Sequence, residues 1–415
     1  MTRSYWIETL GCPKNEVDSE KLAGTLAKEG MTPATSIEGA DLVVVNTCAF
    51  IEDAKKESIE TIYAANEIRM RESSLVVTGC MAERYGTDLE EAFAGDVDAV
   101  VGFGVPVVIK EKPEVPEFDL LNLPRPETKN HWGYVKVAEG CDRICGFCAI
   151  PSFRGPQRSR SMDSIQEEVT SMRLNEVILV AQDLASYGRD LGDKTSISDL
   201  YREVSKMVPW VRLLYLYPSS LTKRLIEQIA SSPVPYFDLS LQHVSKSLLR
   251  SMRRWGDSEK FTEILKGIRK QNNAATLRSN FIVGYPGETE DDHDELLTFV
   301  KENQIDWCGF FIYSREEGTY AATLEDAVPK ELALERLQEL NELQDNITAA
   351  KRDSLIGSQI EVLVDSKGIA RSFREAPEID GVILVPDHLK VGSFSTVTVV
   401  EATGTDLVAA DSSEQ

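Results

Sequence analysis

Short apolar runs alternate with longer stretches of mixed polarity along most of this chain. In the first hundred residues the apolar runs are Tyr5-Trp6-Ile7-Glu8-Thr9-Leu10, Asp41-Leu42-Val43-Val44-Val45-Asn46, Leu75-Val76-Val77-Thr78 and Ala99-Val100-Val101-Gly102, with helical stretches such as Glu16 to Lys28 and Asp53 to Met70 between them. Strands that alternate with helices predict a parallel sheet. The runs are nearly continuous in hydrophobicity, as strands covered on both faces are. Four X-Pro dipeptides between residues 111 and 130 are extended or turn units and predict a linker.

A second alternating unit follows. Its predicted strands are Tyr134 to Val137, Val177 to Val180, Val211 to Leu216, Tyr236 to Ser240, Arg278 to Val283 and Trp307 to Ile312. Six βα units in so short a span suit an open barrel of parallel strands, whose sites lie at the carboxyl ends of the strands. Glu139, Gln182, Asp183, Gln242, His243, Gly284 and Glu288 collect at those ends. Pro329 opens a helix with Leu332, Leu337, Leu340, Leu343 and Ile347 on one face, read as a brace. Three β runs, Gln359 to Val364, Gly381 to Val385 and Ser395 to Val400, then predict a small β-barrel. The expected fold class is α/β: a parallel α/β domain over 3–113, an open (βα)6 partial barrel over 127–346, and a small antiparallel β-barrel over 349–415.

Charge narrows the partners. The 415 residues carry a formal net charge of -23, which repels phosphate backbones and attracts basic proteins. Residues 349–415 hold six Lys+Arg against eleven Asp+Glu, a net of -5, a poor composition for gripping RNA. No apolar run approaches a membrane span, and the start Met1-Thr2-Arg3-Ser4-Tyr5-Trp6 has no apolar signal core. A cytoplasmic protein with no membrane partner is expected.

The cysteines carry the chemistry. There are seven, and in a reducing compartment spaced cysteines are more often metal ligands or catalysts than disulfides. Cys12, Cys48 and Cys80 each follow one of the first three strands. Ligands of parallel α/β sheets bind beyond strand carboxyl ends, so these three thiols are expected to converge on a metal or cluster. Cys141, Cys145 and Cys148 stand at C-x3-C-x2-C spacing after the first barrel strand. Three thiolates are one short of a closed site and leave one iron of a cubane open. Only four histidines exist, His131, His243, His293 and His388, and none pairs with another at ligand spacing, which argues against zinc. Cys308 lies inside the sixth barrel strand and reads as a core thiol.

The run Cys141-Asp142-Arg143-Ile144-Cys145-Gly146-Phe147-Cys148 resembles the signature of the radical S-adenosylmethionine (SAM) enzymes. The resemblance implies a 4Fe-4S cluster whose open iron binds SAM, and a catalytic role for Cys141, Cys145 and Cys148. It implies SAM contacts for Arg154, Gln182, Asp183, Gln242, Gly284 and Glu288. Together with the N-terminal three-cysteine domain and a C-terminal domain that looks like a TRAM domain, the chain resembles the methylthiotransferases from end to end. In that family a second 4Fe-4S cluster, here on Cys12, Cys48 and Cys80, carries the sulfur, and SAM is both methyl and radical source. A reducing electron donor is implied.

One branch of that family modifies adenosine in tRNA. The other methylthiolates the β-carbon of an aspartate in small-subunit ribosomal protein twelve. Leu10-Gly11-Cys12-Pro13-Lys14-Asn15, Ile150-Pro151-Ser152-Phe153-Arg154-Gly155, Gln182-Asp183 with Tyr187-Gly188, and Glu375-Ala376-Pro377-Glu378-Ile379-Asp380-Gly381 resemble the second, and the acidic last domain points the same way. The tRNA branch is the alternative. An electron carrier without catalysis would not need an open iron at a barrel rim.

Overall fold

The computed structural model describes residues 3–102, 125–126 and 130–412. Most of the expected linker, with the boundary between the first two domains, falls outside the described residues.

The N-terminal domain runs β1 (Ser4–Thr9), α1 (Pro13–Lys28), β2 (Thr32–Pro33), β3 (Leu42–Thr47), α2 (Glu52–Ile68), β4 (Ser74–Gly79), α3 (Cys80–Ala92) and β5 (Ala99–Val100). The strands form one parallel sheet in the order β2-β1-β3-β4-β5. Every residue of β3 is buried, so both faces need cover. Leu22 and Leu26 of α1 pack with Leu42 and Val44 on one side. Ile62 of α2 and Leu89 of α3 pack with Val43 and Val45 on the other. The register pairs Thr9 with Asn46 and Asn46 with Thr78. The three strands therefore end level, and Cys12, Cys48 and Cys80 emerge side by side.

The second domain contains β6 (Trp132–Lys136), β7 (Ala138–Glu139), α4 (Ile150–Arg154), β8 (Arg158–Ser159), α5 (Met162–Met172), β9 (Glu176–Val180), α6 (Ile197–Val204), β10 (Trp210–Leu213), α7 (Lys223–Ala230), β11 (Tyr236–Gln242), α8 (Lys246–Ser251), α9 (Ser258–Gln271), β12 (Thr276–Val283), α10 (Glu290–Asn303), β13 (Trp307–Ile312) and α11 (Lys330–Asp353). Two parallel three-stranded sheets, β6-β9-β10 and β11-β12-β13, meet at a lone parallel bridge between Leu216 and Leu239. The Leu216 amide donates to Asp238 at 2.9 Å and the Ser240 amide to Leu216 at 2.9 Å. Six strands thus form one open wall. The third strand is shorter than its apolar run predicts: it stops at Leu213 because Tyr215 turns into the left-handed region at φ 65°.

The third domain is a closed barrel of β14 (Gln359–Ser366), β15 (Ile369–Arg371), β16 (Ile383–Leu384), β17 (Phe394–Thr403) and β18 (Asp406–Asp411). Its pairs are antiparallel except β16 with β18. It lies at the amino ends of the large barrel's strands. Trp210, the first residue of β10, packs its ring 5.0 Å from Phe394. Trp307, the first of β13, donates Nε1 to the Arg374 carbonyl at 2.8 Å.

Residues 371–380 push into the lumen of the open barrel. There Ala376 and Leu363 join Tyr134, Ile178, Trp210, Leu214 and Tyr236, with Val17 of α1 completing the same apolar cluster. The Tyr236 hydroxyl donates to Asp380 at 2.6 Å and the Tyr134 hydroxyl to the Pro377 carbonyl at 3.1 Å. Glu176, fully buried, accepts from Arg212 at 2.9 Å and from Arg371 at 2.7 Å. Removing one member of a buried charge group leaves the others unpaired, at a cost of about 3–5 kcal/mol. Glu176→Ala is expected to lower the free energy of unfolding by about that amount, followed by denaturant titration. Glu203→Ala, which breaks surface pairs with Arg202 and Lys206, is expected to cost under about 1 kcal/mol.

His243, just after β11, gives a pH-dependent test. Its Nδ1 accepts the Ser245 amide at 3.0 Å, and its Nε2 is buried without a partner among the described residues. Burial pushes its pKa down from 6.5 to about 4, against a weaker opposing pull from Asp292. Between those values the unfolded chain binds the extra proton. The contribution is therefore full above pH 6.5 and is lost as pH falls toward 4, reaching at most about 3 kcal/mol. His243→Asn keeps an acceptor for Ser245. Its melting temperature is expected to fall less than the wild type's between pH 6.5 and 4.5.

Candidate active site at the two thiol triplets

Cys12 caps the start of α1, and Cys80 is the first residue of α3. The exposed amides at a helix start favour a thiolate. Asn15 ties the three loops together. Its Nδ2 donates to the Leu10 carbonyl at 2.9 Å and the Thr47 carbonyl at 3.1 Å, while its Oδ1 lies 3.6 Å from Cys80 Sγ. The Cys48 amide is fixed by Ser58 Oγ at 3.0 Å. Two glycines permit this crowding. A side chain at Gly11 (φ +95°) would meet Cys48 Sγ at 2.9 Å, and one at Gly79 (φ +94°) would meet the Thr47 carbonyl at 2.5 Å. Burial pushes the Cys48 thiol up to about 12 and raises Cys80 against the pull of Arg154. Burial also resists ionisation of Cys12, but Lys14 and Arg154 outweigh it and lower that thiol's pKa.

The second triplet sits in the loop after β7. The Gly146 amide donates to the Met252 carbonyl at 2.8 Å, and Gly146 accepts from the Ala321 amide at 2.7 Å. The Arg143 amide donates to Cys141 Sγ at 3.4 Å, and Arg254 Nη1 to Cys145 Sγ at 3.4 Å. Both guanidinium groups stack on Tyr217, at 3.8 Å and 4.2 Å from the ring centre. Burial pushes Cys141 up to about 11 and Cys148 up to about 12. Such thiols become thiolates when a positive centre replaces the proton.

The donor chemistry fits iron–sulfur clusters. Each triplet offers three soft sulfurs, with an arginine within hydrogen-bond reach of one of them. Among the described residues, no three His, Cys, Asp or Glu side chains converge on a single metal ion. Several buried polar atoms near the second triplet also lack partners among the described residues: Gln182 Oε1, Asp183 Oδ1, Arg254 Nε and the Tyr313 hydroxyl. Unsatisfied groups of this kind are what a bound polar cosubstrate completes.

The six expected SAM-contact residues divide. Asp183 accepts from Arg143 at 2.6 Å and from Ser186 at 2.6 Å, and Gln182 donates to Glu139 at 2.6 Å. Both flank the second triplet. Gln242 closes β11 at a register shift with φ 76°, a conformation that costs a side-chain-bearing residue energy and clusters at functional sites. Gly284 (φ +74°) turns the chain after β12, where a side chain would press on Ala333 of α11 at 2.8 Å. Glu288 spends its carboxylate on the Gly284 and Tyr285 amides and on Arg336 at 3.2 Å. Arg154 lies with the first triplet. Its Nη2 reaches Cys80 Sγ at 3.1 Å and Asn15 at 2.8 Å, and its Nη1 reaches Asp18 at 3.1 Å and Glu139 at 3.0 Å. The fully buried Lys136 donates to the same Asp18 and Glu139.

Sequence reasoning missed Asn15, Lys14, Arg143 and Arg254 as site residues. Arg143 lies within the cysteine run and Lys14 and Asn15 just past Cys12, so proximity was a usable signal for three of them. For Arg254, over a hundred residues from Cys145, the sequence held none.

Comparison with known proteins agrees along the whole chain. Residues 4–102 match the uncharacterized protein family UPF0004, residues 135–300 the radical SAM superfamily, and residues 356–410 the TRAM domain. The ribosomal protein uS12 methylthiotransferase RimO of Caldanaerobacter subterraneus subsp. tengcongensis is 41% identical, covering 98% of this chain and 99% of that protein. The protein of the same description from Aquifex aeolicus is 40% identical over 98% and 96%. Among solved structures, the radical SAM methyltransferase TsrM from Kitasatospora setae superposes with a TM-score of 0.51 at 12% identity, covering 94% of this chain and 80% of that one. At that identity the likeness speaks for the fold. With relatives about two-fifths identical along almost their full length and the radical SAM thiol run in place at the barrel rim, this chain is a transferase that belongs to the RimO family of radical SAM methylthiotransferases.

Proposed function

We propose that this enzyme holds two 4Fe-4S clusters, one on Cys12, Cys48 and Cys80 and one on Cys141, Cys145 and Cys148. Its proposed reaction is methylthiolation of the β-carbon of an aspartate in ribosomal protein uS12, with SAM supplying both methyl group and radical. The observation that carries this reading is the pair of three-thiol sets, each one ligand short of closure, with the Arg154–Glu139–Gln182 contacts leading from the first toward the second. When bound, the second cluster supplies an electron to SAM and the first a site for the sulfur to be transferred.

The chain's own groups position these parts. Asn15 and Arg154 hold the first three thiols in one crevice. Arg143 and Arg254 set positive charge against the second triplet. Gln182, Asp183, Gln242 and the Gly284 turn line the rim where SAM would lie. A protein substrate also suits the surface: Phe50, two residues past Cys48, and Ile144, between Cys141 and Cys145, are 47% and 72% exposed. Exposed apolar side chains beside a site favour protein contact over phosphate contact.

Anaerobically reconstituted enzyme is expected to hold about eight iron and eight sulfide per chain. Cys145→Ala should lower both to about four and abolish release of 5′-deoxyadenosine. Cys48→Ala should reach the same iron content yet still cleave SAM, while losing methylthio transfer. A value near four in the wild type would remove the first cluster. For the substrate, mass spectrometry of a deletion strain should find uS12 lighter by one methylthio group and tRNA nucleosides unchanged. The reverse result would assign the enzyme to tRNA.

A further inference from the structure

Most buried cations around the two triplets have a carboxylate of their own. Lys136 and Arg154 share Asp18 and Glu139, Arg143 has Asp183, and Lys21 has Glu168 at 3.6 Å. Lys14 does not. It is 9% exposed, two residues from Cys12, and its Nζ lies 3.6 Å from the centre of the Tyr215 ring. Among the described residues no carboxylate is within ion-pair distance of it. The groups that face it are the Cys12 thiol, whose ionisation it favours, and the Tyr215 ring, so no carboxylate among the described residues shares its charge.

The ring beneath Lys14 is held there by strain. Tyr215 has φ 65°, and its amide is fixed by Asp238 at 2.9 Å, which is itself paired with Arg278 at 3.1 Å. A bulky residue kept in the left-handed region by its surroundings marks a site where position matters. Here it places an aromatic face, partly exposed at the barrel rim, under a cation on the first-triplet side. A cation over a ring keeps its outer face for a second, stronger partner.

We infer that Lys14 binds the side-chain carboxylate of the substrate aspartate, making it the residue that selects a carboxylate-bearing substrate. The inference rests on the aspartate reading above. The geometry follows from the substrate's chemistry: the β-carbon is bonded to the carboxyl carbon, so a carboxylate held beside Cys12 sets the β-carbon next to the first triplet. A nucleobase has no carboxylate to offer that ammonium, so the same contact disfavours tRNA.

The test is equilibrium binding under anaerobic conditions, with cluster-loaded enzyme. Fluorescence anisotropy would follow labelled uS12 and uS12 with the modified aspartate changed to asparagine. Wild type is expected to prefer the aspartate form by at least about tenfold. Lys14→Gln should remove that preference by weakening the aspartate form alone, at unchanged iron and sulfide content, and Lys14→Arg should keep most of it. Three results overturn the inference: no preference in the wild type, a preference retained in Lys14→Gln, or a loss of iron in Lys14→Gln that Lys14→Arg restores, which assigns the charge to the cluster. If wild type modifies uS12 while Lys14→Gln keeps the preference, only this inference fails. If wild type leaves uS12 unmodified, the aspartate reading fails first.

Discussion

Four charges buried between α1 and the barrel hold the site together: Asp18 from the helix, and Lys136, Glu139 and Arg154 from the barrel. Two are positive and two negative, and all four are under about a tenth exposed. Their attraction in a low-dielectric seam offsets the loss of water only while the set is complete, since any single member removed leaves an odd charge behind. The set therefore fixes where α1 sits more sharply than apolar packing would. Cys12 caps that helix, so its place above the barrel rim is inherited from the network. Glu139 extends the network to Gln182, beside Asp183, Arg143 and Cys141, while Arg154 extends it to Asn15 and Cys80. Polar contacts thus run from Cys80 to Gln182, and the backbone carries the link on to Asp183 and its partner Arg143 beside Cys141. A second layer repeats the pattern with Glu168 accepting from Arg125 and Arg160.

Much of this was legible in the chain. Apolar runs predict the N-terminal sheet, the barrel wall and three of the five strands of the last domain, because burial on both faces writes itself into composition. The two triplets were legible because cysteine is rare and its spacing is chemically specific. The polar seam was not. Lys14, Asn15, Asp18 and Lys21 follow helical spacing and make a polar face, yet all four are buried. Periodicity reports which face is polar. It is silent on whether water or another protein surface meets that face, and Asp18 and Lys136 are 118 residues apart. Arg154 shows the same blindness: its closeness in sequence to Cys148 suggests the second triplet, but it ends α4 and reaches Cys80 at the start of α3, in the first. The strand β18 was missed because Asp406-Leu407-Val408-Ala409-Ala410-Asp411 is short and weakly apolar, and closure of the barrel supplies what its sequence lacks.

The third domain changes the weight of the charge evidence. Its net of -5 suggested a surface for a basic partner, but it packs on the amino ends of the strands, while both triplets lie at carboxyl ends. Its acidity does not line the site. What it does contribute is residues 371–380, whose Ala376, Pro377 and Asp380 fill the lumen of an incomplete barrel. Six strands cannot close as eight do, and the gap exposes Tyr134, Tyr236, Arg212 and Arg278 on the inner wall. The plug covers that wall from below with an apolar contact at Ala376 and an anion, Asp380, 3.4 Å from Arg278. Val17 of α1 meets the same cluster from above. The segment Glu375 to Gly381, which the sequence marks as a family signature, is therefore a structural stopper. The rim between α1 and the cysteine loops is instead where the thiols, the exposed apolar side chains Phe50 and Ile144, and Lys14 lie.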